Sequence, residues 1–155
     1  MTKPTLIIFL IVYVGFLHFI ISCSPEACFE ETNSFLKASL YNNDTGKLLA
    51  PDSLTLYGLN MGTNKLYSKA RNIQPALIPL NASTDNCVFI IRLNGISDTL
   101  SLNYSSYPHL ITKECGYTFF HILDSYSVTN NIIDTIIIRN RKISTVNEEN
   151  VRIFY

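Results

Sequence analysis

The 155 residues contain no tryptophan, six glycines, six prolines and three histidines. Neither sign of charge dominates, because 12 Lys and Arg face 12 Asp and Glu. That balance argues against the basic stripe that a nucleic-acid partner requires. It also argues against electrostatic attraction to anionic lipid headgroups as the main attachment to a membrane. Without tryptophan, any carbohydrate- or peptide-binding platform has to be built from tyrosine, whose ring is apolar and whose tip is polar. No stretch after Cys23 carries a helical period, and internal repeats and low-complexity runs are absent. The G-x-S-x-G elbow of hydrolases is missing, as is any paired C-x₂₋₄-C zinc spacing.

What the chain does have begins at its N-terminus. Lys3 supplies a positive charge, Leu6 to Ile21 form an apolar run, and Ile20-Ile21-Ser22-Cys23 closes it. A basic start, an apolar core and a small residue before a cut describe a secretory leader. The run is about sixteen residues, short of the roughly 20 that span a bilayer. The closing tetrapeptide resembles the lipobox of bacterial lipoproteins. That resemblance implies a diacylglycerol on the Cys23 sulfur and cleavage between Ser22 and Cys23. Each buried CH₂ adds about 0.8 kcal/mol of membrane affinity, so two or three chains anchor durably. An uncleaved N-terminal membrane helix and a plain secretory cut are the alternatives.

Removing residues 1–22 leaves 133 residues, with 11 basic against 12 acidic side chains. This length suits one domain with a moderate core. Residues 23–34 read as a polar, acidic tether and 35–155 as a single β-rich domain. Setting Cys23 aside, Cys28, Cys87 and Cys115 remain, an odd number for an oxidising compartment. Cys28 lies in the irregular tether and Cys115 precedes Gly116 at a strand start. Cys87 opens the apolar run CVFIIRL, where a thiol behaves as a small buried hydrophobe. A Cys28–Cys115 disulfide is therefore predicted, with Cys87 reduced. Chain-entropy arguments set its upper value at roughly 4–5 kcal/mol.

The mature region is strand-and-turn chemistry. Leu36, Ala38 and Leu40 alternate with Lys37 and Ser39, which describes a half-buried strand. Further strands are predicted at Leu54–Leu56, Lys65–Ser68, Cys87–Leu93, Asp98–Tyr104, Gly116–Leu123, Asp134–Arg139 and Val151–Tyr155. Weaker patterns occupy Ser127–Asn131 and Lys142–Val146. Pro75 and Pro79 confine residues 73–80 to an edge or an irregular crossing. Asn94-Gly95 is a hairpin-turn signal. Seven to nine short strands suggest an antiparallel β-sandwich.

Pro79-Leu80-Asn81, Cys115-Gly116 and Asn131-Ile132-Ile133-Asp134, together with the lipobox and Cys28…Glu31-Thr32, resemble a family of small uncharacterised lipoproteins from Bacteroidota. The resemblance implies a β-rich envelope lipoprotein over nearly the whole mature chain, and it supplies no activity. Cys87 stands outside the pattern, in keeping with a reduced thiol. Surface-displayed lipoproteins of that group carry an acidic signal after the cysteine. Ser24-Pro25-Glu26 matches it poorly, which implies a periplasm-facing outer-membrane protein. The group also attaches O-glycans at Asp-Ser/Thr before an aliphatic residue. Asp52-Ser53-Leu54, Asp98-Thr99-Leu100 and Asp134-Thr135-Ile136 are similar to that signal, which implicates Ser53, Thr99 and Thr135. Each triplet also reads as a turn entering a strand.

His109, Cys115 and His121, with Cys87, do not match a structural metal spacing, so no metal and no cofactor is expected. His121, among Tyr117, Phe119 and Leu123, reads as a hydrogen-bonded histidine. Glu30-Glu31 and Glu148-Glu149 point to opposite faces if extended and read as solvated charge. Tyr41, Tyr57, Tyr67, Tyr104, Tyr107, Tyr117, Tyr126 and Tyr155 supply either a ligand platform or, more simply, core packing. The reading that results is a lipid-anchored, non-enzymatic interaction or structural module, with an envelope protein or glycan as partner. An envelope hydrolase with an unrecognised site is the competing class.

Overall fold

A computed structural model describes residues 27–59 and 64–155. The expected leader, the expected Ser22–Cys23 cut and the expected lipidation site at Cys23 lie outside the described residues. In chain order the strands are β1 (Phe35–Tyr41), β2 (Leu54–Gly58), β3 (Tyr67–Ala70), β4 (Ala76–Pro79) and β5 (Asn86–Leu93). They are followed by β6 (Ile96–Thr112), β7 (Gly116–Val128), β8 (Thr135–Ile138), β9 (Lys142–Ile143) and β10 (Val151–Phe154). Two sheets pack face to face. One has the order β4-β1-β10-β8 and the other β3-β2-β5-β6-β7-β9. The chain is an all-β sandwich, as the alternation predicts. Ten strands among the described residues exceed the expected seven to nine.

The core is the inward row of each strand. Leu36 and Leu40 of β1 meet Leu56 of β2, Phe89 and Ile91 of β5, and Leu102 of β6, all at most 2% exposed. Each such side chain contributes roughly 1.5–3 kcal/mol on leaving water. Asn94 and Gly95 take positive φ of 50° and 95° and join β5 to β6, with Leu93 paired to Ile96. Both angles are what a two-residue turn between twisted strands demands.

Several boundaries differ from expectation, each for a physical reason. The β1–β10 pair is parallel, from Ala38↔Val151 to Tyr41↔Phe154. The two strands come from opposite ends of the domain, so no tight turn dictates their direction. Lys37 and Ser39 do not face water but are buried, each 8% exposed. β1 is an inner strand, and residues 144–150 cover its outer face: Lys37 Nζ donates to Val146 O at 2.8 Å. Burial holds the Lys37 pKa below its ordinary value.

The return strand is 17 residues long rather than Asp98–Tyr104, and β7 matches it with 13. Past Tyr104 the hairpin has no full core face, so its hydrophobic alternation fades and the sequence stops reading as strand. β5 ends opposite Asn103, leaving β6 an open edge where Pro108 is tolerated. The Ser127–Asn131 pattern is the end of β7 plus a loop, and only Lys142 and Ile143 of the Lys142–Val146 pattern pair. The third strand is shifted from Lys65–Ser68 to Tyr67–Ala70, across an irregularity in the β2–β3 ladder. β4 is an edge strand, in keeping with its prolines. It follows a cis Gln74–Pro75 bond, and the Gln74 amide both accepts from Leu40 N and donates to Leu40 O, at 2.9 and 2.6 Å.

Candidate functional site

Two regions bring chemically distinctive side chains together. The first is the outer end of the β6–β7 hairpin. Its turn reverses through Gly116, whose φ of 72° suits glycine, and Thr112 Oγ1 accepts the Cys115 N–H at 3.0 Å. Cys28 and Cys115 form a disulfide, with Cα atoms 4.8 Å apart, and Cys87 is the free thiol. The rest of the tether runs beside β7: Thr118 Oγ1 donates to Thr32 O at 2.6 Å, and Ser34 Oγ donates to Phe119 O. The tether is thus held along the hairpin rather than hanging free from Phe35. Around this end Phe29 is 92% exposed and Tyr117 75%, and Phe119 and Leu110 are also exposed. Leu110 and Tyr117 are cross-strand partners, as are Pro108 and Phe119. On the opposite face Phe120 is buried by the stacked ring of His109, the edge of Tyr107 and the ammonium of Lys142.

The second region is a cleft of about 330 Å³ lined by Gly58, Leu80, Asn81, Thr84, Cys87 and Phe89. Tyr104 Oη reaches it from the core, donating to Asn81 O at 2.9 Å and accepting from Asn81 N at 3.0 Å. Its only proton is therefore committed, and the Cys87 thiol, 2.9 Å away, is the donor of their shared bond. In that role the thiol is tied to the clamped phenol. Burial, reinforced by Cys87, raises the Tyr104 pKa. The motif Pro79-Leu80-Asn81 forms one wall of this cleft, and Asn81 is the residue that clamps the tyrosine.

His121 is 2% exposed, bonds Ser106 Oγ through Nδ1 at 2.8 Å and packs its ring edge-on against Tyr104. Burial lowers its pKa, so the ring is neutral near pH 7. His109 stacks on Phe120 and Cys115 is oxidised. Among the described residues, no three His, Cys, Asp or Glu are grouped to hold a metal ion.

Sequence reasoning missed two residues that organise loops. Asp98 is 1% exposed; its Oδ1 accepts from Thr129 Oγ1 and Asn131 N, and its Oδ2 from Ile132 N and Ile133 N, at 2.5–2.9 Å. Burial raises its pKa, but these bonds outweigh burial and hold the carboxyl below its ordinary value. Asn150 joins β1 to strand β9 and the loop before it through its side chain. The signal for Asp98 was present, since an acid stands where a core residue belongs in the Asp98-Leu100-Leu102-Tyr104 row.

The glycan triplets are dispersed. Thr99 is half-buried on the face opposite Leu100, and its N–H is bonded to Thr129 Oγ1. Ser53 is half-buried, its N–H bonded to Asn94 Oδ1, while Thr135 is exposed at the start of edge strand β8. The expectation of solvated glutamates holds for Glu30 and Glu31, which are exposed, but fails for Glu149. Glu149 is half-buried, accepts from Arg152 Nε at 2.7 Å and from Tyr41 Oη at 3.0 Å, and cannot reach past them. The tyrosines divide: Tyr104 is core, Tyr41 stacks on Phe154 under Arg152, and Tyr117 is exposed. They do not form one platform.

Fold and chemistry together define a disulfide-pinned β-sandwich whose free thiol and buried histidine are both held in structural hydrogen bonds. The chain belongs to a family of unknown function, DUF6452, whose model matches residues 53–155. No curated protein and no solved structure matches the chain. The matched span holds Pro79-Leu80-Asn81, Cys115-Gly116 and Asn131 to Asp134. It begins after β1, although β1 is an inner strand of the sandwich.

Proposed function

We propose that the protein is an outer-membrane lipoprotein, anchored through Cys23 and facing the periplasm. Its sandwich serves as a non-enzymatic module that engages another envelope protein or a glycan. The observation that carries this reading is the Cys28–Cys115 disulfide. A disulfide with a separation of 87 residues belongs to an oxidising compartment. It also fastens the folded body five residues from the proposed acylated cysteine. The weak acidic signal after Cys23 favours the periplasmic side. Of the three glycan triplets, Asp134-Thr135-Ile136 is the most accessible, so Thr135 is the proposed acceptor.

The test is the mass and N-terminus of protein purified from envelopes, with and without Cys23→Ala. The expected native species begins at Cys23 and carries two or three acyl chains, and Cys23→Ala retains its leader and takes no acyl label. A native chain beginning at Met1, or one lacking fatty acyl groups, overturns the reading. Crosslinking in intact envelopes then tests the module: a reproducible adduct with an envelope protein or glycan is expected, whereas turnover of an envelope substrate by the purified protein assigns an enzyme instead.

A further inference from the structure

We propose that the end of the β6–β7 hairpin rests on the bilayer that carries the chain, with Phe29, Leu110, Tyr117 and Phe119 entering the boundary between headgroups and acyl chains. This rests on attachment at Cys23 and goes beyond it, because a lipid tether alone leaves the folded body free to take any orientation. Four observations converge.

First, four of the eleven large apolar side chains exposed among the described residues gather at this one end. Leu110 and Tyr117 oppose each other across the hairpin, Phe119 follows Tyr117 on the same face, and Phe29 adjoins the disulfide. Second, they do not serve the core. Tyr104 is the last fully buried residue of β6, and Thr112 lies eight residues further on, roughly 26 Å along an extended strand. Third, the tether is short and ends here. Cys23 to Cys28 is five residue steps, at most about 17 Å when fully extended. The disulfide fixes that end to Cys115, so the hairpin turn is the part of the sandwich held nearest the lipid. Fourth, the chemistry suits the membrane boundary, where amphipathic rings such as tyrosine sit with the apolar part inward. Exposed Glu30, Glu31 and Glu114 outnumber Lys113 around the turn, so attraction to anionic lipid is not the source of contact.

The absence of tryptophan makes the test direct. Tyr117→Trp and Phe29→Trp each place a single fluorophore at the hairpin end. Ile137→Trp places one on exposed edge strand β8, in the other sheet. Each acylated protein is reconstituted into phosphatidylcholine vesicles, with and without brominated acyl chains, and intact mass reads its acylation. The expected result is a blue-shifted emission at positions 117 and 29 that loses most of its intensity to brominated chains. Position 137 is expected to stay unquenched, and 0.5 M salt to change nothing. Acylated protein whose position 117 remains water-like and unquenched overturns the contact and leaves the anchor standing. Protein without acyl chains that fails to bind vesicles overturns both. A blue shift without quenching that grows with protein density assigns the hairpin end to a second copy and overturns the membrane contact.

Discussion

The backbone N–H of Lys37 donates to Asn150 Oδ1 at 2.9 Å, and the backbone N–H of Asn150 returns a bond to Lys37 O at 3.0 Å. The same side chain donates from Nδ2 to Asn140 O and Lys142 O. One amide thus joins β1 to the loop before β9 and to β9 itself, at 2% exposure. Asn150→Ala strands one N–H and two carbonyls and is expected to cost about 2–4 kcal/mol. Asn150→Asp turns an oxygen toward two carbonyls and is expected to cost at least as much. Urea unfolding of both variants checks this, and a loss under 1 kcal/mol for Asn150→Ala refutes the role.

The paired Cys28→Ala and Cys115→Ala substitution opens a loop with a sequence separation of 87. Loop-closure entropy sets the expected loss at about 3–4.5 kcal/mol. Because the tether also bonds Thr118 and Phe119, amide exchange is expected to accelerate first at the hairpin end, with the β5–β6 ladder protected. Uniform acceleration across both sheets is the opposite outcome.

Asp98 gives an acid-dependent term. Its folded pKa lies below the ordinary 3.8, so its contribution is present above that value. It is lost as the pH falls through the folded pKa. Asp98→Asn turns an NH₂ toward backbone N–H groups and is expected to cost about 2–4 kcal/mol near neutrality. The variant's stability should then be flatter than the parent's below pH 3.8. Denaturant midpoints at a series of acidic pH values separate the two.

His121 acts in a higher window and with its own sign. Burial depresses its pKa below the ordinary 6.5, so the unfolded chain takes up a proton first as the pH falls. Stability is therefore full above pH 6.5 and declines below it until the folded pKa is reached. His121→Gln keeps a partner for Ser106 and removes this slope. Urea midpoints between pH 7.5 and 5 that decline equally in both proteins assign the slope to another group.

Much of the architecture was legible because strands and turns are written locally. A two-residue period shows in Leu100-Leu102-Tyr104, Asn94-Gly95 forces positive φ, and Pro75 and Pro79 forbid an inner strand. What escaped was local signal without a core to sharpen it. Residues 105–112 pair as β-strand but bury none of their side chains fully, so their hydrophobicity does not alternate. Lys37 read as a solvent residue because its cover comes from residues 144–150.

The sequence by itself determined an all-β chain, the Cys28–Cys115 pairing that leaves Cys87 free, and an apolar run from Leu6 to Ile21. Sorting ten strands into two sheets, running β10 parallel to β1, and wrapping four donors around Asp98 were decided only in three dimensions. The last two depend on groups brought together from 31 to 113 residues apart. Periodicity reports which side of a strand is buried; it carries no record of which distant segment does the burying.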